Sequence, residues 1–196
     1  MTDSRDTIYI VDASIYVFRA WFSLPDTLVD TSGAPVNAVY GFVRFVTELL
    51  EQVRPSHVAF AFDGSLSGSF RNEIFADYKA NREATPRELK NQFEICQSLL
   101  SALGLKSLID DRYEADDLVA TVARNMRGHG FKNVIVSSDK DLTQIVEEHD
   151  VWWNFPKSEQ LSAQGVHDRF GVWPDQIADI WPWWETASIT FPGCPG

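Results

Sequence analysis

The sequence predicts an α/β domain built on a mostly parallel sheet flanked by helices. Three short apolar segments carry strand patterns, namely TIYIVDAS at 7–14, HVAFAFDG at 57–64 and NVIVSSDKD at 133–141. Apolar residues at helical spacing lie between them, after Pro35 and after Glu114. Short apolar strands that alternate with helices favour a parallel sheet covered on both faces.

Composition describes an ordinary globular protein. The 196 residues suit one domain, and no apolar run approaches the roughly 20 residues that cross a bilayer. Without a signal pattern at the start, a cytoplasmic monomer is expected, with no membrane contact. Cys96 and Cys194 lack the spacing of a disulfide framework or a zinc site. The formal charge of -11 argues against a non-specific nucleic-acid binder, because phosphate contacts need Lys and Arg.

Acidic residues follow the predicted strands and open the helix in RYEADDLVA at 112–120. In a parallel sheet these positions meet at one edge, where ligand sites lie. Carboxylates about 4 Å apart repel by roughly 4 kcal/mol at an effective dielectric near 20, so they must protonate or bind cations. Oxygen ligands favour Mg²⁺ or Mn²⁺, and two such ions can support phosphodiester hydrolysis. The candidate ligands are Asp12, Asp63, Glu114, Asp116, Asp117, Asp139 and Asp141.

Each acid also has a structural interpretation. Acids in the first turn of a helix complement its dipole, Asp12 and Asp139 can cap helices, and Asp63 can form a turn before Gly64. Taken singly, these interpretations are favoured. The coincidence of all seven acids at one edge favours the metal site.

The segment from Ser65 to Pro86 is the least regular part of the chain. It carries three cations interleaved with aromatic rings, Arg71, Lys79 and Arg82 with Phe70, Phe75 and Tyr78. Cations that bind phosphates and rings that stack on bases suit single-stranded nucleic acid. A solvated amphipathic segment is an equal alternative, since nearby acids nearly balance the cations. Arg19 could likewise bind a phosphate near the metals or be a surface arginine.

The order of motifs resembles the 5'-nuclease family, which includes the 5'-nuclease domains of bacterial DNA polymerase I, phage 5'-exonucleases and flap endonucleases. The motifs, within residues 7–179, are VDAS, FDG, FR, YKANR, TP, YEADDLVA, SSDKDL and GVWPDQIAD. The resemblance implies a PIN-like fold with a helical arch. It also implies hydrolysis of DNA at 5' ends and flaps by two Mg²⁺ ions, for which Mn²⁺ can substitute, with the seven acids as ligands.

By the same resemblance, Arg71, Lys79 and Arg82 belong to the arch and bind DNA. Lys79 would engage the scissile phosphate, and Lys79 and Arg82 would act in catalysis. Arg19 matches a basic position near the active site and is expected to bind DNA. The alternatives are a PIN-type ribonuclease, which is not expected to carry the YKANR arch, and a receiver-like Mg²⁺-binding signalling domain, which would not need the 65–86 segment.

The predicted nuclease domain covers residues 1–179, and residues 180–196 form an aberrant tail. After QIAD the family pattern continues as LALVGDSxDNIPGxPGIGxKTA, whose two Asp residues complete the metal site. Here the aligned residues are Thr186 and Ile189. Trp has the single codon TGG, and a shift of one nucleotide lets the tail encode LALVGDSVDNIPGLPG. We therefore expect a frameshift, a truncated chain without the helix-hairpin-helix region, and impaired activity. An apolar interface patch is the alternative for the tail.

Overall fold

A six-stranded sheet forms the centre of the computed structural model, which describes residues 6–64, 70–75 and 85–179. The strand order is β3-β2-β1-β4-β5-β6. Neighbouring strands are parallel except for β5 and β6, which pair antiparallel. The predicted, mostly parallel sheet is confirmed. The strands are β1 Thr7–Asp12, β2 His57–Asp63, β3 Lys106–Asp110, β4 Lys132–Val136, β5 Val151–Asn154 and β6 Glu159–Leu161.

Helices cover both faces of the sheet, as the sequence predicts. In β1, Val11 packs into a cluster with α1, α2 and α4, whereas Ile8 and Ile10 pack on the other face with α5. This alternation of successive side chains produces three layers. The α-helices are α1 Ala13–Ser23, α2 Asn37–Val53, α3 Phe70–Ile74, α4 Arg87–Ala102, α5 Ala115–Gly128 and α6 Ala163–Phe170. Short 3-10 helices lie at Asp141–Ile145, Phe155–Lys157 and Pro174–Gln176.

The strand register brings the acidic positions to one edge of the sheet. Asp12 lies opposite Ala61 of β2, and Asp63 lies opposite Asp110 of β3. On the other side of β1, β4 ends at Val136, opposite Val11. The segments that leave β1, β2 and β4 therefore start side by side, as parallel strands require.

Gly64 permits the close approach of β2 and β3 at this edge. A Cβ atom at this position would lie 2.2 Å from the carbonyl oxygen of Asp110 and 2.6 Å from its carbonyl carbon. Any other residue would push the strand ends apart. The glycine of the FDG motif is therefore required by backbone packing next to Asp63.

Helix α2 is capped by a side chain from α4. Its N-cap residue, Val36, has no side chain that can accept a hydrogen bond. The buried Gln92 side chain instead accepts bonds from the backbone N–H groups of Ala38 (2.8 Å) and Val39 (3.1 Å) and donates to Asn37 Oδ1. These bonds join two helices of one layer through polar groups that would otherwise be unsatisfied.

Three further predictions concern membrane spans, the cysteines and the arch. Over the described parts of the chain, no helix combines the length and apolar character needed to span a membrane. Cys96 is a buried free thiol on α4. Of the predicted arch, the description covers α3 and the residues that flank it, while residues 76–84 and the tail at 180–196 lie outside it.

Candidate metal centre

Asp12 is a buried carboxylate at the end of β1. Its Oδ1 accepts a hydrogen bond from Ile15 N (3.3 Å) and so caps α1, as the structural interpretation predicted. Its Oδ2 accepts a bond from Ser137 Oγ (2.9 Å). With 4% of its surface exposed, Asp12 loses its hydration, and this burial, together with the negative charges of Asp116 and Asp63, raises its pKa to about 8. A bound cation would stabilise the charged form of this side chain.

Ser137 links Asp12 to the segment that follows β4. Its Oγ accepts a hydrogen bond from Asp139 N (3.0 Å) while donating to Asp12. Asp139 Oδ1 in turn accepts from Asp141 N (2.9 Å), at the start of the 3-10 helix. The indole N–H of Trp152 on β5 donates to Asp139 O (2.9 Å). The segment is thus fixed at both its side chains and its backbone.

Asp63 ties the end of β2 to two helices. Its backbone N–H donates to Ser14 Oγ on α1 (2.9 Å), and its Oδ1 accepts from Ala115 N at the start of α5 (2.8 Å). The latter bond satisfies one of the free N–H groups of α5. Asp63 is therefore a helix cap whose negative charge also acts on Asp12. Because a carboxylate accepts about four bonds, the cap leaves oxygen lone pairs for a cation.

The start of α5 carries the other three acids. Asp117 Oδ2 accepts from Glu114 N (3.0 Å), which is helix-start chemistry of the predicted kind. Arg71 of α3 donates two hydrogen bonds to Asp117, from Nη1 to Oδ2 (2.7 Å) and from Nη2 to Oδ1 (2.8 Å). Its Nη1 also lies 3.8 Å from Glu114 Oε2. The negative charge of Asp116 contributes to the raised pKa of Asp12.

The acids share one edge but do not yet form a closed ligand set. Within the described ranges, no three His, Cys, Asp or Glu side chains are arranged so that they could hold a metal ion. Their oxygens are instead turned toward protein donors, the backbone N–H groups that Asp63 and Asp139 accept from and the guanidinium of Arg71. As a donor set, these oxygens suit a hard divalent cation. Binding of a cation would require these side chains to exchange some of their protein donors for the ion.

The predicted basic residues divide into three groups. Arg19 is exposed on α1, beside a groove lined by Tyr16, Phe45 and Phe155. Arg71 contacts the acids of α5 directly. Lys79 and Arg82 lie outside the described residues, as do Thr186 and Ile189.

Sequence reasoning missed the residues that hold the acids in place. Ser14 and Ser137 each lie within two positions of a candidate ligand in VDAS and SSDKD, so a search for hydroxyl groups beside the acids would have found them. Trp152 carries no such signal, because the indole reaches Asp139 through the sheet rather than along the chain.

A comparison with protein families shows which family this chain belongs to. Residues 7–171 match the family described as "5'-3' exonuclease, N-terminal resolvase-like domain". The chain belongs to this family. The resemblance inferred from the order of motifs is therefore confirmed over most of the chain.

Relatives of this 5'-3' exonuclease family member are longer than the chain itself. The 5'-3' exonuclease of Aquifex aeolicus is 38% identical over 173 residues, which cover 88% of this chain and 59% of that protein. DNA polymerase I of Bacillus caldotenax is 34% identical over 197 residues, which cover 98% of this chain and 22% of the polymerase. The chain thus spans little more than half of one relative and about a fifth of the other.

Solved structures confirm the fold. The T5 D15 protein, co-crystallised with metal ions, superimposes with a TM-score of 0.66 at 18% identity, covering 87% of this chain and 64% of that one. The catalytic core of Rad2 in complex with a DNA substrate superimposes with a TM-score of 0.57 at 20% identity, covering 90% of this chain and 54% of that one. The α/β fold is therefore that of the 5'-nucleases.

Proposed function

We propose that this chain is the catalytic part of a structure-specific 5'-3' exonuclease and 5'-flap endonuclease that hydrolyses DNA. The observation that supports the proposal is the surroundings of the buried Asp12, on which the negative charges of Asp63 and Asp116 act and which Ser137 joins to the backbone of Asp139. Membership of the 5'-3' exonuclease family supports the reaction, and the relatives that were crystallised with metal ions or DNA support the ligands.

The proposed cofactor is a pair of Mg²⁺ ions, for which Mn²⁺ can substitute. The residues that would hold them are Asp12, Asp63, Glu114, Asp116, Asp117, Asp139 and Asp141. When bound, such ions supply an activated water and neutralise charge on the phosphodiester. Ser137 fixes the carboxylate of Asp12 and the backbone of Asp139, and the two hydrogen bonds of Asp63 restrain the end of β2.

The proposed DNA contacts come from Arg19, Arg71, Lys79 and Arg82. Lys79 and Arg82 would donate to the scissile phosphate as its negative charge develops, an effect typical of positioned cations in active sites. Arg19, exposed on the helix that Asp12 caps, would bind a neighbouring phosphate.

We also propose that the tail reduces activity. At the positions where the family pattern has two Asp residues the chain has Thr186 and Ile189, which cannot supply carboxylate oxygens. Because two-metal cleavage needs both ions held together, the reaction should be slow by orders of magnitude. Restoring the pattern LALVGDSVDNIPGLPG should raise the rate.

Cleavage of a 5'-flap DNA under single-turnover conditions with Mg²⁺ tests the proposal. The chain with the restored pattern, extended through its downstream codons, should cut the flap. Its Asp116→Asn variant should not, although it should remain folded by circular dichroism. A matched RNA flap should be cut more slowly. Equal rates for the restored chain and for Asp116→Asn would refute the role of the acids, and preference for the RNA would favour a PIN-type ribonuclease.

We propose that the working form is a cytoplasmic monomer. Light scattering gives the mass in solution. A stable dimer at micromolar concentration would contradict the proposed monomeric state.

A further inference from the structure

We infer that Asp117 is the docking partner of Arg71 rather than a metal ligand, and that this pair holds the segment Phe70–Phe75 against the metal centre. The inference rests on the proposed function, since it assigns different tasks to one member of the acidic set and to Arg71, one of the proposed DNA contacts. Its basis is the bidentate contact in which both terminal nitrogens of Arg71 reach both oxygens of Asp117, at 2.7 and 2.8 Å.

Asp117 is already well supplied with hydrogen-bond donors. Besides the two bonds from Arg71, its Oδ2 accepts the backbone N–H of Glu114 at 3.0 Å. A cation at this carboxylate would have to displace a guanidinium bound through two charge-assisted bonds, which are about twice as strong as neutral ones. The side chains of Arg71 and Asp117 are 30% and 24% exposed, so water screens the pair less than it screens a surface ion pair.

The neighbouring acid on α5 acts on Asp12. The negative charge of Asp116 raises the pKa of that buried carboxyl, so the two charges lie within range of each other. Consecutive helical residues point about 100° apart, so Asp116 and Asp117 cannot both face one point squarely. We therefore assign different roles to the two aspartates of the YEADD motif, with Asp116 serving the metal centre and Asp117 binding Arg71.

Other contacts bring the same segment onto the chain before α5. Phe70 N donates to Arg112 O at 2.9 Å, and the rings of Phe70 and Tyr113 lie 5.4 Å apart. Arg112 also pairs with Glu73 at 3.0 Å, but these two side chains are 59% and 63% exposed. Within the segment, Arg71 reaches two acids at the start of α5, Glu114 and Asp117. Its pair with Asp117 thus connects the start of the predicted arch to the metal centre.

Two charge-neutral double variants of the chain separate ligation from docking. The first variant, Asp117→Asn with Arg71→Gln, removes both members of the pair. The second, Asp116→Asn with Arg71→Gln, also removes one negative and one positive charge, but it neutralises Asp116 and keeps Asp117. Mn²⁺ is titrated into each by calorimetry. The first variant should bind Mn²⁺ about as tightly as the unaltered chain, and the second should bind at least about tenfold more weakly. Equal weakening in both would make Asp117 a ligand and overturn the inference.

Hydrogen exchange tests the docking without any metal. Asp117→Asn and Arg71→Gln should each raise the exchange rate of the amides of residues 70–75 by about tenfold, because the segment loses its charge-assisted anchor. Arg112→Gln is the matched control and should change these rates little, since its pair is exposed. Unchanged rates in both of the first two variants would overturn the docking role. Absence of Mn²⁺ binding by the unaltered chain would instead contradict the proposed function, and the exchange rates would still decide the docking.

Discussion

Asp12 is a carboxylate whose burial in the fold opposes its ionisation, which the proposed binding of a cation requires. Its burial removes water from a carboxylate, and Asp116 and Asp63 add like charge, which together raise its pKa to about 8. The bonds from Ser137 and Ile15 offset these effects only in part. Without a cation, this side chain therefore lowers the stability of the fold at neutral pH.

Replacement of Asp12 by Asn should stabilise the metal-free protein. Between pH 3.8 and about 8 the folded protein keeps a proton that the unfolded chain releases, so the stability supplied by this group falls as pH rises through that window. Asn keeps the cap on α1 and carries no charge. Urea unfolding in EDTA should show the variant to be more stable at pH 8 by a few kcal/mol, given about 1.4 kcal/mol per pKa unit.

The same variant provides its own control. The advantage of Asn should shrink toward pH 4, and Mg²⁺ should stabilise the unaltered protein more than the variant. Equal unfolding midpoints at pH 8 in EDTA would show that Asp12 is not strained by its surroundings.

Ser137 is predicted to matter for metal affinity because it orients the carboxylate of Asp12 and holds the backbone of Asp139. Ser137→Ala removes the donor to Asp12 and the acceptor for Asp139 N. Loss of such an orienting group typically weakens metal binding about tenfold or more. Mn²⁺ calorimetry should show this loss, while Ser138→Ala, whose bond to Asn154 is a long 3.4 Å, should bind nearly as the unaltered chain does. The reverse order would contradict the orienting role.

At the scale of elements, the layer formed by α1, α2 and α4 depends on a polar contact. The side chain of Gln92 is 1% exposed and satisfies two N–H groups at the start of α2. Such groups cost about 1 to 3 kcal/mol each when they are buried without a partner. The contact of Gln92 therefore contributes to the stability of the fold and is not expected to contribute to metal binding.

Gln92→Met should accordingly lower the free energy of unfolding by about 2 kcal/mol or more, since methionine has a similar shape but cannot accept these bonds. Denaturant unfolding measures the change. Gln164→Met is the control, because Gln164 makes an exposed contact with Asp168 on α6. If the free energy of Mn²⁺ binding fell more in Gln92→Met than the free energy of unfolding did, a purely structural role for Gln92 would be contradicted.

The elements that the sequence predicts best are those buried on both faces. β1, β2 and β4 are central strands whose continuous apolar runs are typical of a covered parallel sheet. β3 lies at one edge and is partly exposed along its length, and β6 is a polar segment of three residues at the other edge. Neither has the apolar run that would reveal a strand. Edge strands follow from pairing with their neighbours, which a single sequence does not encode locally.

At the scale of the whole molecule, the topology gathers the acids that the sequence spreads over 130 positions, from Asp12 to Asp141. Their shared edge could be predicted because parallel strands end together. Their partners could not, since the contact between Arg71 and Asp117 joins residues 46 positions apart through side-chain geometry alone. The roles of Lys79, Arg82 and the tail stay predictions.

Anomalous diffraction from a crystal grown with Mn²⁺ is the most direct test that this edge of the sheet is a divalent metal centre. At least one manganese peak should lie within coordinating distance, about 2.0 to 2.3 Å, of carboxylate oxygens from the set formed by Asp12, Asp63, Asp116 and Asp139. Asp12 should then be ionised, and Arg71 should remain on Asp117. A well-ordered crystal without manganese at this edge, at millimolar Mn²⁺ and a pH at which the acids are charged, would contradict the account.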